Sequence, residues 1–436
     1  MMSTCKKISR LFLCYAALIA IWPSVASPSV RAQEPGDTSP ALRWWRGNLH
    51  THSLWSDGDD FPEMIAGWYL DHGYNFLALS DHNVLSEGQR WMPLEKILAR
   101  GGKEVFNKYT TRFGQSWVET RGEQGTDKFE VRLKPLDEFR SLVEVSGKFL
   151  MIPSEEISDK AEGKPVHMNA TNIKEVIKPV GGATVREAMA NNLRLVLEHE
   201  RETGREILPH LNHPNFGYGV TAEDLASVVA EKFFEIHNGH PGVNQLGDDK
   251  HPSVERIWDI ANTIRIQSLE APPLFGVATD DSHTYHGKPG AHTGRGWVMV
   301  RSRYLTPEHL IRAMKAGDFY ASSGVTLADL QLDRERAAIK IDIEPTAGET
   351  YRTDFVATLA PEKSANQPAG DQPLSLGGIK PEAVGIVVAT TEGLHAEYRL
   401  TGKELYVRAI ITSSAEPDDP SYKGQKKQAW TQPVMP

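Results

Sequence analysis

The sequence predicts an α/β fold, a β/α barrel followed by a small all-β domain, and three observations predict it. From Trp44 to about Ser323, short apolar runs alternate with helical patterns. The ends of successive runs carry His, Asp or Glu. From about Leu327 the helical patterns stop, and strand-like runs separated by Pro, Gly and Asn take over.

Seven runs read as barrel strands: Trp45–Leu49, Phe76–Leu79, Phe149–Ile152, Val166–Ile173, Ile207–Leu211, Phe233–Ile236 and Phe275–Ala278. Helices lie between them. Thr184–Glu202 places Val185, Met189, Leu193 and Val196 at helical spacing. Thr221 opens Thr-Ala-Glu-Asp, an N-cap with acid in the first turn, and Ser253–Ile264 repeats the pattern. Thr306-Pro307-Glu308 starts another helix, and Gly317 closes it. Residues 84–146 are too long for one connection and read as a partly helical insertion over the barrel mouth. In the tail, 327–345, 351–360, 383–390 and 396–412 read as strands of a β-sandwich-like domain spanning 327–436, with Pro361–Pro373 as a loop.

The N-terminus has a different texture. Lys6, Lys7 and Arg10 precede an apolar run from Leu11 to Trp22, and small residues follow. This pattern reads as a signal peptide over 1–32, cut after Ala26 or Ala32, with a linker over 33–43. It predicts export to the periplasm or beyond; a membrane anchor is the alternative. No later stretch is apolar and long enough to span a bilayer. Both cysteines, Cys5 and Cys14, fall in the leader, so the exported chain would have no thiol and any metal must be held by nitrogen and oxygen. Loss of the leader takes four positive charges and no acids from a net charge of −9, leaving about −13. So acidic a chain, with no basic block, argues against gripping nucleic acid.

The chemistry is written at the strand ends. The first strand runs into His50-Thr51-His52 with Asp57 beyond, and the second into Ser80-Asp81-His82. The third meets Glu155-Glu156, and the fourth contains His167. The fifth carries His210 and His213, the sixth Glu235 and His237, and the seventh Asp280-Asp281-Ser282-His283. In parallel β/α barrels the C-terminal strand ends meet on one face. On a strand, i and i+2 point the same way, so His50 pairs with His52 and Asp281 with His283. Such a group is a cage for hard or borderline cations. Arg295, between Gly294 and Gly296, reads equally as a clamp for an anionic substrate or as the partner of a local carboxylate. His286 and His292 share its loop, where they are candidate proton donors or solvated loop residues.

Asn48-Leu49-His50-Thr51-His52-Ser53, Ser56-Asp57-Gly58, Ser80-Asp81-His82, Glu156-Ile157-Ser158, His213-Pro214 and Asp281-Ser282-His283 together resemble the successive motifs of the PHP (polymerase and histidinol phosphatase) superfamily, over about residues 44–323. Gly294–Ser323 and the tail ending Ala429-Trp430-Thr431-Gln432-Pro433 are more similar to its carbaryl-hydrolase-type branch. The resemblance implies a distorted seven-stranded barrel holding two or three divalent ions, zinc, manganese or iron. By motif, His50, His52, Glu156 and Asp281 would hold the first ion. Glu156 would bridge to a second on His167 and His213, and Asp57, His82 and His283 would hold the third. Asp81 would orient a ligand. Glu155 competes with Glu156, and His210 with His213.

The expected activity is hydrolysis of a small, anionic phosphoester by metal-bound hydroxide, with Asp281, Arg295 and His286 as the catalytic candidates. The alternatives are a carbamate, ester or amide hydrolase, with Trp91 and Phe113 of the insertion lining a neutral pocket, and a non-catalytic periplasmic binding module.

Overall fold

The computed structural model describes residues 40–333, 338–361 and 375–436. The leader, most of the linker and nearly all of the Pro361–Pro373 loop lie outside the described residues. Strands β1 (Arg43–Asn48) and β2 (Phe76–Leu79) are parallel, and β2 continues in parallel to β6 (Leu150–Ala161). The next strand, β7 (Lys164–Thr171), turns back antiparallel to β6 and is antiparallel again to β8 (Leu208–Leu211). Parallel pairing resumes through β9 (Phe233–Asn238) to β10 (Phe275–Thr279). All seven expected strands are therefore present, but the expectation of a uniformly parallel set is corrected at β7. A two-residue turn, Glu162-Gly163, joins β6 to β7, and so short a link permits only an antiparallel return.

The other side of β1 is taken by β11 (Trp297–Ser302), then β12 (Phe319–Ser322), β19 (Gln428–Thr431), β18 (Glu404–Ser413), β15 (Tyr351–Leu359) and β16 (Ile386–Glu392). The result is one 13-stranded mixed sheet with β10 and β16 at its ends. No ladder joins β10 to β1. Their extensions meet instead in a single bridge, Thr51 to Ser282, with Asp281 N donating to His50 O (3.0 Å) and His52 N to Ser282 O (2.9 Å). That contact brings the ends of the first and seventh strands side by side.

Helices α1 (Pro62–Asp71), α5 (Val185–Thr203), α6 (Ala222–Ser227), α7 (Val254–Ser268) and α8 (Pro307–Lys315) flank the sheet. Their starts follow the sequence. Thr184, Ser253 and Thr306 accept backbone N–H bonds at helix N-termini, and Thr221 with Asp224 forms a capping box. Val185, Met189, Leu193 and Val196 of α5 pack into the main core with Ile157, Leu211, Phe234 and Trp258.

The insertion folds as β3 (Arg90–Pro93), α2 (Leu94–Gly101), α3 (Val105–Phe113), β4 (Thr120–Arg121), β5 (Glu130–Leu133) and α4 (Leu136–Val143). Its core joins Ile97, Tyr109 and Val131 to Leu54, Trp55 and Phe61 of the segment after β1. Arg100 donates to Ser56 O and Gly58 O, bracing the turn that carries Asp57. Trp91 and Phe113 do not line a substrate pocket with the histidines: Trp91 lies under Arg121, and Phe113 packs beside Tyr109 and Trp117. In the tail, β13 (Leu327–Asp333), β14 (Ala338–Ile343) and β17 (His395–Arg399) form a separate sheet. Leu330, Ile339 and Ile341 from that sheet meet Phe355, Val407 and Ile411 of the large one across a shared core.

Candidate metal centre

The loops and strand ends after β1, β2, β8 and β10, together with the β6–β7 hairpin, bring nine polar side chains into one cluster. Nε2 of His50 and Nε2 of His52 lie 3.1 Å apart, and each is 3.2 Å from Asp281 Oδ1. Glu156 lies beside the two histidines, its Oε1 3.4 Å from His50 and its Oε2 3.5 Å from His52. Oε1 of the same Glu156 lies 3.0 Å from His167 Nδ1 and 3.4 Å from His213 Nε2. Its Oε2 lies 2.6 Å from His82 Nδ1. Asp57 stands 3.5 Å from His82 Nε2, 3.4 Å from His283 Nε2 and 3.7 Å from His52 Nδ1. The donors thus fall into overlapping groups: His50, His52 and Asp281; His50, Glu156 and His213; and His52, Asp57, His82 and His283.

His167 sits near the start of its strand, not the end. It reaches the cluster because β7 runs antiparallel to its neighbours and brings its early residues to the face where they end. Alternation along β6 separates the two glutamates. Glu156 points into the cluster, while Glu155 points away and accepts from Ile177 N (2.5 Å), with burial pushing its pKa up to about 8. Asp280 and Asp281 separate likewise. Asp280 accepts from the backbone N–H groups of Gly294, Arg295 and Gly296, and Asp281 turns inward on a left-handed backbone, φ 48°. That conformation is costly for a non-glycine residue and is held by the hydrogen bond to His50 O.

The electrostatics follow from this crowding. Burial alone would raise the Glu156 and Asp281 pKa values, but the surrounding histidines hold both well below the carboxylate range. Burial would lower His50, but Asp281, Glu235 and Glu156 hold it well above its usual value. His52 is pushed down to about 3, by burial first and then by His283.

Whether these residues suit a cation is decided by their chemistry. All are nitrogen or oxygen donors. Four atoms bound tetrahedrally at 2.0–2.1 Å would stand about 3.3 Å apart, and His50 Nε2, His52 Nε2 and Asp281 Oδ1 stand 3.1–3.2 Å apart. Glu156 Oε2 is buried and has no hydrogen-bond partner among the described residues, despite its closeness to His82. A buried carboxylate oxygen left in that state fits a cation. The set fits.

Around it stands a layer that the strand-end reading left unassigned. Glu235 accepts from His50 Nδ1 (2.7 Å), Thr279 Oγ1 (2.7 Å), His213 N (2.7 Å) and Asn238 Nδ2 (2.9 Å). Asn238 also donates to Asp281 Oδ2, and Asn212 to Glu156 Oε1. Asp81 accepts from Ser53 and Ser56, fixing the turn between His52 and Asp57. The competing His210 lies beside Glu235 at 3.6 Å, making a further buried group with His50. His240, within the sixth strand's outgoing loop, stands next to His283. The available signal was the chain Glu235-Ile-His-Asn238-Gly-His240 at a strand end, of which only Glu235 and His237 stood out. His237 in fact faces away, bonded to Arg295 O and stacked on Trp430.

Two catalytic candidates have partners outside the cluster. Arg295 is 6% exposed, and its guanidinium is spent on both oxygens of Asp419 and on Gly239 O and Gly290 O. The local-carboxylate reading holds, and no free fork remains for a substrate. His286 is turned to Asp60 (3.5 Å), in a separate cavity of about 390 Å³ with Trp68, Lys108 and Arg112.

No family model and no curated protein matches the chain. Among solved structures, it is similar to a two-domain protein from Bacteroides vulgatus ATCC 8482 containing a predicted PHP-like metal-dependent phosphoesterase: 13% identity, 90% of this chain and 96% of that one, TM-score 0.40. A second, from Bifidobacterium adolescentis ATCC 15703, is assigned by inference as a metal-dependent phosphoesterase: 14% identity, 57% of this chain and 90% of that one, TM-score 0.30.

Proposed function

We propose that the protein is a metal-dependent hydrolase of phosphoesters, of the PHP type and most similar to its carbaryl-hydrolase-like branch. The observation that carries this reading is the sharing of donors. His50 and His52 each belong to more than one group, and the two oxygens of Glu156 face different histidines, so adjacent cations would share donors. Zinc, manganese or iron bound there would supply Lewis-acid polarisation, a water acidified to a pKa of about 7, and positive charge that favours a substrate with several anionic oxygens.

The chain's own residues do the rest. Glu156 and the histidines hold the donor atoms in register from buried strand ends. Asp281 would offer Oδ1, beside the two Nε2 atoms, as a donor, and Oδ2, held by Asn238, would take the proton of the attacking water as the ester's alcohol or phenol leaves phosphorus. With Arg295 engaged by Asp419, recognition of the phosphoryl group falls to the cluster itself.

Two measurements test this. The purified mature protein should carry two or three equivalents of metal, and less than one after metal loading would overturn the metal reading. On that loaded sample, kcat/KM for a nitrophenyl phosphate should exceed that for a naphthyl carbamate. A carbamate preference of tenfold, about 1.4 kcal/mol, would reassign the enzyme to carbamate or ester cleavage. Export belongs to the same proposal: fractionation should find a shortened chain outside the cytoplasm, and full-length protein in the cytosol would contradict it.

A further inference from the structure

Beside the cluster stands a histidine that is not one of its donors and that keeps one ring nitrogen without a partner among the described residues. His240 follows β9 by two residues, and its backbone N–H is anchored on Asn238 Oδ1 (2.7 Å). Its ring meets the ring of His283 at 5.6 Å and Phe216 at 5.9 Å. Phe216 in turn packs against His213 (5.1 Å) and His167 (6.4 Å). His240 therefore stands beside the His52–Asp57–His82–His283 group, with Phe216 between it and His213.

The orientation of the ring is set. Gly242 N donates to His240 Nδ1 at 2.9 Å, which makes Nδ1 the acceptor and places the proton of the neutral imidazole on Nε2. Nε2 has no hydrogen-bond partner among the described residues and is not closed off from solvent, since the ring is only partly buried. The loop is built for this contact: a Cβ on Gly242 would lie 2.9 Å from both Nδ1 and Cε1 of the His240 ring. A side chain there would drive the ring out of place.

We infer that His240 is a substrate-contacting residue, its Nε2–H donating a hydrogen bond to a non-bridging oxygen of a phosphoryl group lying across the two donor groups. This rests on the phosphoesterase reading. It adds a specificity-determining donor from the protein, in the role that Arg295 cannot fill.

The test uses the full metal-loaded protein, with metal content measured alongside binding of inorganic phosphate by calorimetry and kcat/KM for a phosphomonoester. For His240→Ala the expected result is unchanged metal content, phosphate binding weakened about tenfold and kcat/KM lowered 10–100-fold. His240→Gln, which returns an N–H donor, should recover part of both. Gly242→Ala, which leaves His240 in the chain but displaces its ring, should resemble His240→Ala. Phosphate affinity and turnover equal to wild type in His240→Ala would overturn the inference while leaving the phosphoesterase reading intact. Loss of metal in His240→Ala would also overturn it, by making His240 a ligand. A wild-type protein that neither binds phosphate nor cleaves the ester would remove both readings together.

Discussion

Glu235 shows at the scale of one residue how the centre is held. A carboxylate on His50 Nδ1 leaves Nε2 free to face the donors, and its second oxygen fixes the backbone of His213 and, through Asn238, the side chain of Asp281. Partners of this kind are worth 10–100-fold in metal affinity. Glu235→Gln should therefore lower affinity by about that factor in a chelator competition while retaining the fold by circular dichroism; unchanged affinity would reduce Glu235 to a packing role. Direct donors should behave more severely: His50→Ala and Asp281→Asn are expected to abolish turnover, whereas His309→Ala, at an exposed helix N-terminus, should be silent. A wild-type rate in His50→Ala would mean that the centre is misplaced. Away from the centre, Glu231 is fully buried, and burial pushes its pKa up to about 7. Because the folded value exceeds the unfolded one, near 4.5, its contribution is full below pH 4.5 and is lost as pH rises through about 7. Glu231→Gln should remove that loss, so above pH 7 the variant should exceed wild type in stability by up to roughly 3 kcal/mol. Parallel thermal melts at pH 5 and 8 check it, and an identical pH slope in the two proteins would refute it.

At the scale of elements, what was legible in the chain is what local patterns encode. The seven strand runs, the Thr184, Thr221, Ser253 and Thr306 helix starts, and the candidates His50, His52 and Asp281 follow from apolar periodicity, capping chemistry and residues at strand ends, whereas Glu156 was preferred to Glu155 only through the motif resemblance. The direction of β7 was not legible, because an apolar run carries no sign of parallel or antiparallel pairing. Nor were β11, β12 and β19, whose pairing partners lie far off in sequence. The fate of Arg295 was open for the same reason: its partner, Asp419, is 124 residues away. A comparable long-range contact ties α7 to β18, where Arg408 makes two hydrogen bonds to Asp259 and Tyr406 makes a third. Both charges of the pair are buried, so cutting one leaves the other without compensation. Arg408→Ala should cost about 3–5 kcal/mol, read from denaturant unfolding. A loss below about 1 kcal/mol would show that water replaces the guanidinium.

At the scale of the whole molecule, the last strand decides whether the region carrying the donor cluster and the tail can be parted. β19 lies between β12, which follows α8, and β18 of the tail, so the large sheet runs through it without interruption. Trp430 on β19 belongs to the main core with Phe234 and Trp258, stacks on His237 and donates to Glu255 of α7. Two residues later, the Gln432 side chain accepts from Gly276 N and donates to Gly276 O, capping β10 as a strand would. Residues 427–436 thus fill a slot in the half of the chain that carries the centre. Their removal would expose the edges of β12 and β18 and empty the space of a buried tryptophan, a change worth about 3–5 kcal/mol on its own against a net stability of order 5–15 kcal/mol. A chain ending at Lys426 is accordingly expected to lose cooperative unfolding and metal binding together, although no proposed ligand has been removed. Trp430→Ala, a milder lesion, should lower the melting temperature with metal stoichiometry retained in the folded fraction. If the shortened chain instead bound metal with a wild-type melting transition, the tail would be an appendage, and the residue 323–327 junction would mark two independent units.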